Sequence, residues 1–230
     1  MKHLTLKELP VSERPYEKCE KYGVSSLSDA ELLAVIIKSG SQGERSVEVA
    51  SRILNFRKET PGLVGLNYLT MEDLMQIRGI GRVKAIQLLC ITELTKRMAR
   101  ERYAEQEDFS SPKMIAEYYM QDMRYLECEQ VILLLLDTKC HKIRDFVISK
   151  GTVNAAMAEP REVFQNALKY GAVNIIVLHN HPSGDVTPSK ADVVLTKRLA
   201  EVGKLVGIAL VDHIIIGNNT YMSFQENGMM

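Results

Sequence analysis

The chain of 230 residues contains no tryptophan, and aromatic residues make up only 6% of it. Its four cysteines, Cys19, Cys90, Cys128 and Cys140, include no CxxC pair. That scatter argues against a disulfide framework or a structural zinc cluster and predicts free thiols. No apolar run approaches the ~20 residues that a membrane-spanning helix needs. The opening MKHLTLKELP lacks the apolar centre of a secretory signal. The expected location is therefore cytoplasmic, with no membrane partner. Net charge is absent too, since Lys+Arg and Asp+Glu both number 29. The first hundred residues lean slightly basic and the rest slightly acidic. This permits a weak anionic partner for the first part and argues against a strongly basic grip on nucleic acid.

What is present is ordinary for a globular chain: 46% apolar and 25% charged residues, in a length that suits one or two domains. Residues 1–25, with Pro10 and Pro15, read as an irregular lead-in. LSDAELLAVIIKSG then suggests a helix with Ser28 and Glu31 as a capping box and Gly40 as its stop. Further helices are expected from Ser46 to about Lys58, from Thr70 to Gln76, and from Gly81 to about Arg100. The last of these carries Val83, Ile86, Leu89, Cys90 and Leu94 on one face. The charged stretch ARERYAEQEDFSS marks a boundary near residue 105. Ser111-Pro112 opens a helix to about Met123. VILLLL (131–136) and VNIIVL (173–178) are continuous apolar runs, as expected of strands buried on both faces. Residues 143–149 could pair with the first run through the turn DTKCHK. Helices are expected at 160–170 and 189–202, and two more strands at 205–210 and 213–217. The fold class is thus mixed α/β: an all-α domain, 1–105, followed by a mixed sheet flanked by helices, 106–230.

The densest chemistry is HNHPSGDVTPSKAD, residues 179–192, which starts where the strand 173–178 ends. In extended backbone, residues two apart face the same side, so His179 and His181 can address one ion. Asp192 falls in the first turn of the next helix, where side chains lean back toward the N-terminus. Two imidazoles and a carboxylate leave a fourth tetrahedral position open, the pattern of a catalytic rather than a structural zinc. The competing reading is that Asp192 only closes a capping box with Ser189.

His-x-His-Pro, then Ser189 and Asp192 at their spacing, resembles the motif of the JAMM (MPN) metalloprotease family along its full length. The segments ERPYEKCEKYG, LSDAELLAVIIKSG, IRGIGRVKAIQL, PREVFQNAL, LHNHPSGDVTPSKAD and DHIIIG are similar to the RadC branch of that family. Asn180 stands where the wider family usually has Ser or Thr, and Glu159 stands where many relatives have His. The resemblance implies a JAMM/MPN-like fold, one Zn2+ per chain on His179, His181 and Asp192, and hydrolysis of a peptide or isopeptide bond. It also implies a general base at the start of the strand preceding the histidines. Glu129 fits that register, with Glu127 in reserve. Ser189 would stabilise an oxyanion. Asp212-His213 would support the ligands from behind or simply form a satisfied pair at a strand start. His3 and His141 receive no role.

Residues 77–85, IRGIGRVKA, resemble a helix-hairpin-helix motif. Gly79 and Gly81 permit its tight turn, and Ile77, Ile80 and Val83 would lock it. The free N–H groups of the following helix, with Arg82 and Lys84, would suit a DNA phosphate. Protein contact or pure structure is the other reading of the hairpin. Two functions from different classes follow. One is a zinc-dependent JAMM-type hydrolase acting on an unidentified peptide or protein. The other is a DNA-associated accessory protein, linked to repair or recombination, with a non-catalytic metal site. Phosphodiester hydrolysis fits poorly, because nucleases more often hold two hard ions with carboxylates.

Overall fold

The structure, a computed structural model, describes residues 10, 14–104, 109, 111–151 and 158–230. The chain divides into two compact units, the first ending at Thr95 and the second beginning at Lys96. Both the boundary expected near residue 105 and His3 fall outside the described residues.

The first unit is helical: α1 (Pro15–Tyr22), α2 (Asp29–Ile37), α3 (Ser46–Leu54), α4 (Met71–Gln76) and the start of α5 (Arg82–Ala104). Part of the expected irregular lead-in is in fact α1. Pro15 occupies its first turn, where a missing N–H costs nothing and the fixed φ suits a helix. The Ser28–Glu31 capping box forms in both directions and opens α2. α2 ends at Ile37, before Gly40, because Lys38 itself takes up a left-handed φ of 63°. α3 stops at Leu54, short of Lys58. Leu33, Ile37, Val49, Ile53, Leu74 and Leu88 form the core of this unit, and Ile77 and Ile80 of the hairpin are buried in it. Val83 does not lock the hairpin, since it is 69% exposed. Ile86, Cys90 and Leu94 are exposed as well. The small Ala85, fully buried, and Leu88 supply the inward face of α5 instead.

The second unit runs α6 (Pro112–Met123), β1 (Gln130–Leu136), β2 (Lys142–Lys150), α7 (Pro160–Lys169), β3 (Asn174–Asn180), α8 (Lys190–Val206), β4 (Ala209–Ile216) and β5 (Tyr221–Ser223). The five strands form one sheet in the order β2-β1-β3-β4-β5, with β3 and β4 parallel and the other neighbours antiparallel. The two apolar runs lie in β1 and β3, with strands on both sides. Alternation splits their side chains between two cores. Ile132, Leu134, Ile176 and Leu178 pack with Ile115 and Met123 of α6. Leu133, Ile175 and Val177 pack with Val163 and Phe164 of α7 and Leu199 of α8.

One expectation is corrected here. LVGIAL (205–210) is not a strand of its own. α8 continues through Val206, and Gly207 caps it in the left-handed conformation, φ 74° and ψ 25°. A single strand, β4, then covers 209–216. Leu205 is 86% exposed, so its apolar character reflects no strand core. Among the described residues, no helix is long and apolar enough to cross a membrane.

The topology fixes where chemistry can occur. Antiparallel pairing sets the beginning of β1 beside the end of β3, with Val131 opposite His179. The N-terminus of α8 follows the loop that leaves this same end of the sheet.

Candidate metal centre

His179 is the next-to-last residue of β3 and is 4% exposed. It shares the sheet face of Ile175 and Val177, as the two-residue period requires. His181 follows the strand, and its N–H still donates to the Ile216 carbonyl of β4 at 2.9 Å. The chain then turns through Pro182–Gly184. Asp185 stiffens the exit by accepting from both the N–H and the hydroxyl of Thr187, at 2.9 and 2.7 Å. Ser189 caps α8, and Asp192 sits in its first turn.

His179 Nε2 lies 3.0 Å from His181 Nε2 and 3.3 Å from Asp192 Oδ1, and His181 Nε2 lies 3.6 Å from Asp192 Oδ2. Two nitrogens bound at zinc-like lengths of ~2.0–2.1 Å to one tetrahedral ion stand about 3.3 Å apart. The observed spacings therefore fit a shared ion. This is the one group of three or more His, Cys, Asp or Glu side chains among the described residues that could hold one. The geometry shows the capping reading of Asp192 and leaves room for the metal-ligand reading beside it. Its Oδ2 accepts from the Ser189 N–H at 2.7 Å, which closes the capping box, while Oδ1 faces His179. The helix cap is what aims the carboxylate.

The other ring nitrogens are all engaged, and this settles the tautomers. His181 Nδ1 is 2.6 Å from the Asp185 carbonyl, which only accepts, so Nδ1 carries a proton and Nε2 is the nitrogen that faces the site. On the other side, Thr196 Oγ1 donates to the Asp192 carbonyl at 2.7 Å. The hydroxyl is then the acceptor for His213 Nδ1 at 2.6 Å, and His213 Nε2 is the acceptor for His179 Nδ1 at 2.9 Å. The chain of donors thus starts at one ligand's backbone and ends by turning the Nε2 lone pair of His179 toward the site. Such outer partners orient ligands and raise their basicity.

Electrostatics agree. Burial pushes the His179 pKa down to about 4 against the pull of Asp192, and burial pushes His213 down to about 3. Both rings are neutral at pH 7, as ligation requires. His181 is raised, chiefly by Asp192, and Glu129 adds to the effect through its charge. Burial works to raise the Asp192 carboxyl, but His181, His179 and Ser189 outweigh it and hold it well below the ordinary carboxylate range.

Glu129 stands immediately before β1, half-buried, while Glu127 is exposed. Ser189 is exposed, and its hydroxyl oxygen accepts from the Asp192 N–H at 3.2 Å. Asp212 does not touch the His213 ring. Its carboxylate accepts from Ser223 Oγ at 2.6 Å and from the N–H groups of His213 and Gln225 at 2.7 and 3.0 Å, which ties β4 to β5. Of this pair only His213 meets the cluster, with Phe224 stacked on its ring. Sequence reasoning missed Thr196. Its place one helical turn after Asp192 was the available signal.

In the first unit, Gly79 has φ 93°, and a Cβ there would come within 2.8 Å of Ser41 Cβ. Gly81 is open and Arg82 is exposed at the start of α5. Lys84 is spent internally. Its ammonium donates to the carbonyls of Ser39, Gly79 and Gly40 at 2.6, 2.9 and 3.4 Å.

Comparison with known proteins accords with this site. The fold and the His-His-Asp cluster accord with a JAB-type domain, a family that typically binds a metal. A RadC-like JAB domain matches residues 109–229, and a UPF0758 N-terminal domain matches residues 6–86. A UPF0758 protein of Clostridium botulinum (strain Hall) is 44% identical over 225 residues, covering 97% of this chain and 96% of the relative. One of Clostridium tetani (strain Massachusetts / E88) is 41% identical over 227 residues, covering 99% and 98%. The chain belongs to the RadC-like JAB domain family, which points to a metal-dependent hydrolase of the JAMM type.

Proposed function

We propose that this protein is a zinc-dependent hydrolase that cleaves a peptide or isopeptide bond. The observation that carries this reading is the convergence of two imidazole Nε2 atoms and one carboxylate within 3.0–3.6 Å, each histidine oriented by a partner on its other nitrogen. The donor set suits zinc, with three protein ligands and one open position. A zinc ion held there would make water acidic enough to deprotonate near pH 7 and would polarise a carbonyl. Glu129, at the mouth of β1, accepts the proton and returns it to the leaving amine. The Ser189 hydroxyl, which accepts from the helix with a lone pair, keeps its own hydrogen to donate to a developing oxyanion. His179, His181 and Asp192 hold position throughout, because sheet, loop and helix cap fix each one separately.

The first test is metal content per chain in freshly purified wild type and His181→Ala. About one zinc in the wild type and none in the variant is the expected result. Normal zinc in both would sink the ligand assignment. Glu129→Gln should keep the metal and lose turnover on any peptide substrate. Unchanged turnover would move the reading to a binding protein with a non-catalytic metal.

The DNA-accessory reading now rests on Gly79, Gly81 and Arg82, since Lys84 is committed to the carbonyls of Ser39 and Gly79. It expects salt-sensitive, sequence-independent retardation of duplex DNA that weakens in Arg82→Ala. No retardation at low salt removes it.

A further inference from the structure

We propose that Asn180 is a positioning residue that holds Glu129 in register with the histidine ligands. The proposal rests on the hydrolase reading above and extends it to how the general base is placed. Asn180 is the residue between the two histidines. Side chains alternate along β3, so it faces away from His179, and it is 1% exposed. A buried amide must find partners for its oxygen and both hydrogens, and this one finds them all in the segment that carries Glu129. Its Oδ1 accepts from the Gln130 N–H at 2.8 Å. Its Nδ2 donates to the Cys128 carbonyl at 3.2 Å and to the Leu126 carbonyl at 3.4 Å. The partners also assign the amide: a peptide N–H can meet only the oxygen, and carbonyls only the nitrogen.

Glu129 thus lies between two residues clamped by one side chain. Its own carbonyl accepts from the Gly151 N–H at 2.8 Å. The register from β1 to β3 reaches Val131 opposite His179, and the Asn180 side chain carries the pairing one residue further, to Gln130. The base and the two imidazoles are therefore joined through a single residue, and the base is not left on a free strand end. Serine or threonine could satisfy one of these groups but lacks the reach and the second donor. Asn180 makes no contact with the ring nitrogens, so its loss should leave metal binding intact while releasing Glu129.

The test uses the full chain loaded with Co(II) in place of zinc. Wild type, Glu129→Gln, Asn180→Ala and the double variant are compared by metal content and by the visible spectrum at one pH. Asn180→Thr, which keeps a strand-forming residue, stands in if the alanine variant does not fold. The expected result is one Co(II) per chain in all, a spectrum altered in Glu129→Gln, and the same alteration in Asn180→Ala. The double variant should show nothing beyond Glu129→Gln, since the two residues act through one group. Amide exchange at Gln130, followed in metal-free protein, should quicken by about tenfold in the Asn180 variants, the loss of roughly one hydrogen bond. An Asn180 variant with the wild-type spectrum, or one that loses Co(II), overturns the proposal. If the wild type takes up no metal, or Glu129→Gln leaves the spectrum unchanged, the hydrolase reading itself falls, and the role of Asn180 falls with it.

Discussion

At the residue scale, the candidate centre depends on side chains that do not themselves join the His-His-Asp cluster. Thr196 is 1% exposed, and its hydroxyl passes the hydrogen-bond chain from the Asp192 carbonyl to His213. Thr196→Val keeps the shape and removes the hydroxyl. His213 then loses its acceptor, and His179 is free to change tautomer. Zinc affinity, measured by competition with a chromophoric chelator, should fall about tenfold or more, with the secondary structure unchanged. Unaltered affinity would show that His213 orients His179 without help from Thr196. Lys84 offers the opposite case, a cation that reads as a ligand for DNA but acts inside the fold. Lys84→Met leaves three carbonyls without their donor and should cost the first unit about 1–2 kcal/mol in urea unfolding. Retention of full stability would return Lys84 to the list of phosphate contacts. The cluster of His179, His181 and Asp192 was legible because it is local: i and i+2 across a strand end, and the third residue of a capped helix. His213 entered the sequence reading only through the resemblance, and Thr196 and Asn180 were not legible as partners. Their contacts join β3 to β4, to α8 and to the segment before β1, and local spacing does not carry strand register.

At the element scale, the loop from His181 to Ser189 has to stay close to β4. Gly217 at the end of that strand touches it. A Cβ there would land on the Gly184 carbonyl and come within 2.7 Å of Val186 Cγ1. Gly217→Ala should therefore push the loop outward and lengthen the bond from His181 Nδ1 to the Asp185 carbonyl. The expected outcome is weaker zinc binding, with a stability loss of about 1–3 kcal/mol from overpacking. A variant with both properties intact would show that the loop yields without moving His181. The strands and helices that build this corner were mostly evident from sequence. VILLLL and VNIIVL lie in the strands they suggest, and the capping boxes at Ser28, Thr70 and Ser189 open the helices they mark. The misses have a common cause. Apolar letters in LVGIAL belong to a helix end and a strand start, and Gly207 between them is a cap rather than a bend within a strand. In α5 the apolar face chosen by periodicity is not the buried one. The tight approach at Ala85 decides which side turns inward, and the pattern alone cannot distinguish a small buried residue from a neutral one.

At the scale of the whole molecule, the metal ligands and the two cores of the second unit share no residue with the core of the first. The change from helical periodicity to buried strand runs already suggests this division in the sequence. The structure adds that, among the described residues, the groups that could hold or orient an ion belong to the part of the chain after Lys96. Metal binding should therefore act as a ligand linked to the folding of that unit alone. A ligand at a hundred times its dissociation constant stabilises by about 2.7 kcal/mol. For a unit of this size, that moves a midpoint by on the order of 10 °C. Calorimetry of the full chain with zinc and after chelation should show one transition displaced by that amount, while the transition of the helical unit keeps its temperature. His181→Ala should unfold at the chelated midpoint whether or not zinc is added. A single transition that moves as a whole would instead show that the two units unfold together, so that a metal bound at one end of a sheet also stabilises the helices of the first unit.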